Sequence, residues 1–308
     1  MTTYDQDLVN LATTQFTANT ELLLQQEGSL LRQHVREGAH VGKMASPINQ
    51  ISPIQAKAPA GRFAPKERVP NTFTRRWVFP NPYEDDQYID SFDELMTIVD
   101  PKSEYVRNAA YAMGRAIDDL IMQAAVGTAQ TGTDAASLAA ESFTSTYQIA
   151  ANFNASSSVG LTVDKLIKLR QNFRHYHVDI KSDPVTLIIG SQQEADLLNQ
   201  VEVVSTEFND RPVLVDGSIT RFLGFNIVVS ERVPQTTAGS VRGCIAFSRS
   251  GMYLGLWKDI SNQAFQRSDL SGNPWDLSTT GMIGATRTQL GKVWQVLCAD
   301  TTGSDTTP

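Results

Sequence analysis

Residues 101–125 carry the clearest apolar period in the chain. Val106, Ala110, Met113, Ile117, Leu120 and Ala124 recur at steps of four, three, four, three and four, which places them on one helix face. Asp100 suits the N-cap, Pro101 the first helical position, where a missing N–H costs nothing, and Gly127 the stop. At about 1.5 Å of rise per residue, such a helix is about 37 Å long. A looser helical spacing of Leu8, Leu11, Phe16, Leu22, Leu23, Leu30 and Leu31 predicts one or two helical pieces over residues 3–36, detached from the main body.

Downstream the periods shorten. Residues 128–160 are rich in Thr, Ala, Ser and Asn and predict a loop with some strand. Thr162 caps a helix reaching His175, with Leu166, Leu169 and Phe173 facing inward. The β-branched run Val185–Ile189 predicts a buried strand. Ser191 with Glu194 forms a capping box for a short helix ending near Asn199. Strands are expected at Val213–Val215, Phe225–Val229, Arg242–Phe247, Gly251–Trp257 and Met282–Val296, and Thr301–Pro308 reads as a flexible tail. No internal repeat is present. The class is α+β, with an antiparallel or mixed sheet.

Residues 38–99 follow neither period. Seven of the thirteen prolines fall here, at 47, 53, 59, 65, 70, 80 and 82, and proline removes ladder donors and discourages helix. The expectation is an extended arm of the sheet-edge kind. Its charge is sorted: Arg62, Lys66, Arg68, Arg75 and Arg76 face only Glu67, and then Glu84, Asp85, Asp86, Asp90, Asp93 and Glu94 follow with no base between them. A disordered linker is depleted in large apolar side chains, yet this stretch holds Phe63, Phe73, Trp77, Val78, Phe79, Tyr83, Tyr88, Ile89 and Phe92. Such an arm needs another surface to lie on, and a neighbouring copy of the chain is the expected one. The expected intersubunit contacts are the two charge blocks together with Trp77 and Phe79. Reversing the charge of Arg75 and Arg76 together is expected to leave the subunit folded and to block assembly.

The 308 residues suffice for a sizeable core, and 41% hydrophobic with 19% charged residues is a globular composition. A net charge of −7 argues against a dominant nucleic-acid or anionic-membrane surface. No apolar run approaches the ~20 residues of a membrane span, and no secretory signal pattern follows Met1. Cys244 and Cys298 lie in apolar strand contexts and read as structural thiols. Catalytic patterns fail one by one. Gly38–Met44 resembles a phosphate-binding loop but is one residue short, with Met44 where a Ser or Thr is needed. His175 and His177 lack companion ligands, and Asp85, Asp86 and Asp90 lack the glycine and terminal glutamate of a calcium loop. Asp118 and Asp119 are adjacent on a helix and point apart. No enzyme activity, cofactor or metal is expected.

The order of elements carries a resemblance. Asp100-Pro101-Lys102-Ser103-Glu104-Tyr105 leads into Arg115-Ala116-Ile117-Asp118-Asp119 and Gly127-Thr128-Ala129, and Arg221-Phe222-Leu223-Gly224-Phe225 precedes a Val-rich strand. With an extended arm before the long helix and Leu187–Ser191 after it, the chain resembles the major capsid proteins of tailed bacteriophages. The resemblance implies the Hong Kong 97-like fold of tailed-phage and herpesvirus shells. Residues 1–37 would be the N-terminal arm, 38–99 the extended loop reaching over an adjacent subunit, and 100–180 the peripheral domain with its spine helix at 101–126. Residues 181–275 would form the axial domain and 276–300 strands returning to the peripheral sheet. It further implies a structural subunit of an icosahedral virion, assembled in the host bacterial cytoplasm as pentamers and hexamers. The implied partners are copies of itself, a separate scaffolding protein, a portal protein, a decoration or cement protein, and packaged double-stranded DNA by non-specific proximity. A tail-tube or adaptor ring protein and an encapsulin-like compartment subunit are the alternatives. Some relatives cross-link subunits through a Lys–Asn bond. Lys43, Lys57 and Lys66 lie in the arm, and no pattern singles one out.

Overall fold

The structure, a computed structural model, describes residues 25–56, 58, 61, 71–89, 102–134, 136–200, 219–237, 240–270 and 273–300. In chain order the elements are β1 (Arg36–Ala39), β2 (Ala45–Ile51), β3 (Phe73–Val78), β4 (Asn81–Ile89), α1 (Lys102–Val126), β5 (Ala129–Gly132), β6 (Ala139–Glu141), β7 (Gln148–Ile149), α2 (Val163–His175), β8 (Val185–Ile189), α3 (Ser191–Leu198), β9 (Arg221–Phe222), β10 (Phe225–Val229), β11 (Gln235–Thr237), β12 (Val241–Ser248), β13 (Met252–Gln266), β14 (Trp275–Arg287) and β15 (Val293–Ala299). The expected Val213–Val215 strand and the expected tail lie outside the described residues. The chain divides into two compact units, each gathered from three separated stretches. One takes the described parts of Met1–Ser29, Pro82–Ala116 and Lys258–Met282, and the other takes the rest.

In the larger unit a mixed sheet runs β7–β15–β12–β8–β10–β9, with β11 beside β12. β8 lies between antiparallel β12 and parallel β10, and all five of its residues are buried. A strand covered on both faces is what its run of β-branched residues around Leu187 calls for. The core gathers Leu166, Leu169 and Phe173 of α2 with Leu187, Phe225 and Trp294. Phe173 meets Phe225 and Trp294 at ring separations of 6.2 and 6.5 Å, a geometry that favours aromatic pairs. Thr162 caps α2 as expected, its side chain accepting from the N–H of Lys165. The expected capping box of α3 does not form; only one half of such a box is present, one residue earlier. Gly190 is the N-cap, and Gln193 Oε1 accepts its N–H at 3.2 Å. Glu194 instead accepts from the main chain of Ile219.

Lys165 and Arg287 are fully buried cations in this unit. The Lys165 ammonium donates to the carbonyls of Val159, Gly160 and Leu297 at 2.8–2.9 Å. Arg287 donates to the carbonyls of Ala125 and Gly127 at 2.7 and 2.9 Å, just at the end of α1, and to Glu141 O at 3.1 Å. It also lies 5.3 Å from the Phe143 ring centroid. The two thiols are free and buried, and Cys298 pairs with Arg242 across β12–β15, so Cys244 is its diagonal neighbour. Their mutual hydrogen bond, then burial, raise the Cys244 thiol well above its ordinary pKa.

The helix expected over residues 3–36 is not found in its described part. Residues 32–34 make one 3-10 turn, and β1 begins at Arg36. Two distant partners prevail over the local spacing. Asp118 of α1 accepts the N–H groups of Leu30 and Leu31 at 3.0 and 3.1 Å, and β1 pairs in parallel with β13 from Arg36–Tyr253 to Ala39–Leu256. The loop resembling a phosphate binder is this strand and a turn, closed by Trp257 Nε1 donating to Gly42 O at 2.7 Å. The single strand expected over Met282–Val296 is two, broken by a 3-10 turn at Leu290–Lys292.

In the smaller unit, β14 up to Met282 is flanked by β4 and by β13 from Lys258 onward. Asp276, Leu277 and Thr279 of β14 are buried, while β13 from Asn262 to Gln266 is exposed on both faces. Arg267 grips Asp269 through two bonds of 2.7 and 2.6 Å. The helix expected at 101–126 forms from Lys102. Gly114 lies against the main chain of Gly28 and Ser29, where a Cβ would collide. Beside it Arg115 donates to Gln25 Oε1 at 2.6 Å. Beyond Ala116, where α1 belongs to the larger unit, Ile117, Leu120, Ile121, Met122 and Ala125 are all buried, a wider face than one stripe.

Candidate intersubunit surface

The extended character expected of the arm is present in its described residues. β2 and β3 are antiparallel partners from Ala45–Val78 to Ile51–Phe73. The pairing extends one step further, with Ser52 N–H donating to Thr72 O at 3.0 Å. β5 covers the far edge of β3 at Arg75, Arg76 and Trp77 only. Past that point, among the described residues, the strands Gln50–Ile51 and Phe73–Thr74 pair only with each other, while the Gln50 side chain donates to Thr288 O at 2.7 Å. The outcome is a two-stranded ribbon whose apolar end is uncovered: Ile51 is 59% exposed and Phe73 55%, and Ile54, just past β2, is 50% exposed. An isolated hairpin of this kind is marginal in water.

The expected contact residues divide where the ribbon meets the body. Arg75 is exposed and Phe79 is 37% exposed. Arg76 and Trp77 belong to the chain's own interior, at 5% and 9% exposure. Arg76 forms an ion pair of 2.5 Å with Glu141 of β6. The acidic partner sought for it on a neighbour is therefore supplied by its own chain, 65 positions later in sequence. Reversing Arg75 and Arg76 together would consequently damage the subunit itself, which corrects the expectation that the double reversal spares the fold. Trp77 and Phe79 line a cavity of about 480 Å³ with Thr128, Gln130, Leu138 and Thr286.

β4 holds the described half of the acidic block. Its residues alternate, with Glu84, Asp86 and Tyr88 exposed and Asp85 turned partly inward, where Gln87 donates to its Oδ1 at 3.3 Å. Among the described residues β4 is the terminal strand of its sheet, and its exposed Glu84 and Asp86 give it an acidic character. Arg62, Lys66, Arg68, Asp90, Asp93 and Glu94 lie outside the described residues.

The carboxylates set aside as a poor acid/base pair are fully engaged in the fold. Asp118 holds the Leu30–Leu31 main chain, and Asp119 pairs with Arg232. His175 ends α2, and His177 follows in the left-handed region with φ 59°. No group of three or more His, Cys, Asp or Glu residues able to hold a metal occurs among the described residues. Sequence reasoning missed the buried ion pair and two buried cations; Arg76 and Arg287 find their partners far along the chain, and Lys165 joins two nearby carbonyls to the distant one of Leu297.

The fold is matched by solved phage structures. The capsid structure of the cyanophage P-SCSP1u superposes with a TM-score of 0.72 at 13% identity, covering 95% of each chain. The asymmetric unit of the cyanophage Pam1 capsid gives a TM-score of 0.69 at 11% identity over 98% of each chain. A chain from Mycobacterium phage Che8 gives 0.68 at 14% identity, over 94% of this chain and 97% of that one. No curated protein sequence matches the chain. A family model described as phage capsid protein matches residues 9–300, so this chain is a member of the phage capsid protein family.

Proposed function

We propose that the chain is the non-enzymatic major shell subunit of an icosahedral bacteriophage head, joining copies of itself as pentamers and hexamers around packaged double-stranded DNA. The observation that carries this reading is the ribbon of β2 and β3, which leaves Ile51, Ile54 and Phe73 uncovered by its own chain. A surface of that kind is completed by another molecule. The described contact set is then Arg75, Phe79, Glu84, Asp85 and Asp86, with Arg62, Lys66, Arg68, Asp90, Asp93 and Glu94 as its continuation. Exposed charge pairs contribute about 0–1 kcal/mol each. Stability of a shell therefore comes from repetition and from apolar area, at about 25 cal/mol per Å² buried. Head-to-tail contacts of this kind close into rings. Scaffolding, portal and decoration proteins complete the set of partners in this reading, and assembly takes place in the bacterial cytoplasm.

The test is assembly of purified subunits, followed by sedimentation and electron microscopy. The unmodified chain is expected to give closed particles. Arg75→Glu is expected to keep the melting profile of the parent while reducing particle yield at least tenfold. Open tubes or isolated rings from the parent chain would refute the shell reading, and normal yield from Arg75→Glu would remove Arg75 from the interface.

A further inference from the structure

A second feature of the larger unit has no role in the ribbon. A cavity of about 290 Å³ is walled by Arg170 and Arg174 of α2, Asp179 and Lys181 of the turn after it, and Arg221 and Gly224 of the β9–β10 hairpin. The two arginines are four residues apart and so share one helix face. The hairpin is a two-residue connection in which Leu223 and Gly224 both have positive φ, 50° and 90°, and it brings Arg221 to the same cavity. Four cations thus meet one anion. That anion is already occupied: Asp179 Oδ1 accepts the N–H of Lys181 at 3.1 Å. The same N–H and the Ser182 hydroxyl hold its carboxyl below the usual carboxylate range.

Among the described residues, the side chains of Arg170, Arg174, Lys181 and Arg221 make no salt bridge or hydrogen bond. The buried cations of this unit are all matched, and so is exposed Arg232. Arg242 is shared by Glu231 and Asp300, Arg232 is paired with Asp119, and even Lys165 and Arg287 are given three carbonyls each. The helix C-terminus accounts for a base in the last turn of α2, but not for Lys181 or Arg221. Like charges held together without counter-charge repel, so the arrangement gains stability from an anion.

We propose that this cavity is an oxyanion site for a phosphate-bearing ligand. Three guanidinium groups offer paired N–H donors that match phosphate oxygens, and Lys181 adds a point charge. The excess of three positive charges over Asp179 exceeds what one carboxylate neutralises and suits successive phosphates. A nucleic-acid strand or a free polyphosphate supplies that chemistry. The site does not depend on the shell reading, because it belongs to the isolated subunit.

The test uses the full chain and two matched variants. One removes three cavity charges (Arg170→Gln, Arg174→Gln and Arg221→Gln), and the other removes three that do not line the cavity (Arg36→Gln, Lys43→Gln and Lys258→Gln). Circular dichroism and melting confirm that both remain folded. Calorimetry with inorganic tripolyphosphate is expected to show at least a tenfold loss of affinity in the cavity variant and less than twofold in the control. For a labelled single-stranded oligonucleotide, the slope of log K against log salt should flatten by about 2, at ~0.7 per cation removed. Tighter binding of the oligonucleotide at equal phosphate concentration assigns the strand as the source, and the reverse assigns free polyphosphate. Equal affinity of parent and cavity variant for both probes would overturn the proposal. So would polyglutamate binding as tightly as either.

Discussion

Replacing Arg287 with methionine removes the one side chain that ties the end of α1, the following turn and β6 to β14. The helix terminus leaves carbonyls without intrahelical partners, and Arg287 satisfies one at Ala125 and another nearby at Gly127. With Glu141 O, three carbonyls lose a charged donor. Hydrogen bonds from a charged group are worth about 1.5–3 kcal/mol each, a gross loss of about 5–9 kcal/mol. Much of that is offset, because burial penalises the guanidinium and draws its pKa down to about 10. Dehydrating such an ion costs several kcal/mol, and methionine restores packing beside Phe143 without that cost. The expected net loss is about 2–4 kcal/mol. Urea denaturation followed by tryptophan fluorescence measures it, since Trp77 and Trp294 belong to the same unit. Lysine at this position keeps the charge but lacks the fork, and should recover less than half of the loss. A methionine variant within about 0.5 kcal/mol of the parent would refute the reasoning, showing that the guanidinium's dehydration cancels its three bonds.

Arg76→Glu sets a second carboxylate beside the half-buried Glu141 and should cost about 3–5 kcal/mol, against less than about 0.5 for Arg75→Glu, one residue away on the exposed side. Equal melting of the two variants would show that the ion pair does not hold β3 to β6. In the smaller unit, Arg267 lowers the Asp269 pKa from 3.8 to about 2. A depressed carboxyl stabilises the fold above its unfolded pKa, so this contribution is present above about 4 and is lost as pH falls towards 2. Carboxyl carbon shifts followed by NMR should show the low midpoint, and a midpoint near 4 would mean that the pair is open in solution.

Features that depend on neighbours a few positions away were legible from the residues alone. The long helix follows from its spacing, α2 from its Thr162 cap, and β8 from a run of apolar and β-branched residues; the expected Asp100 cap and Pro101 start lie outside the described residues. Features decided by distant segments were not. Leu30 and Leu31 fit a helical stripe, but the carboxylate capturing their N–H groups is nearly ninety positions away. Arg75 and Arg76 look equivalent side by side. In a strand they face opposite ways, and only the arrival of Glu141 decides which one turns inward. The basic cavity escaped notice for the same reason, since its walls come from positions 170 to 224. On the arm, the extended form was readable from its prolines. Which part of it the body would absorb was not.

The chain has only two sulfhydryl groups, carried by the neighbouring strands β12 and β15 and both buried in the core. Thiol-directed dyes and maleimides will therefore find nothing to modify on the native subunit. A single cysteine introduced at any exposed position becomes a unique attachment point, and native thiols that turn reactive would report the opening of this sheet in real time.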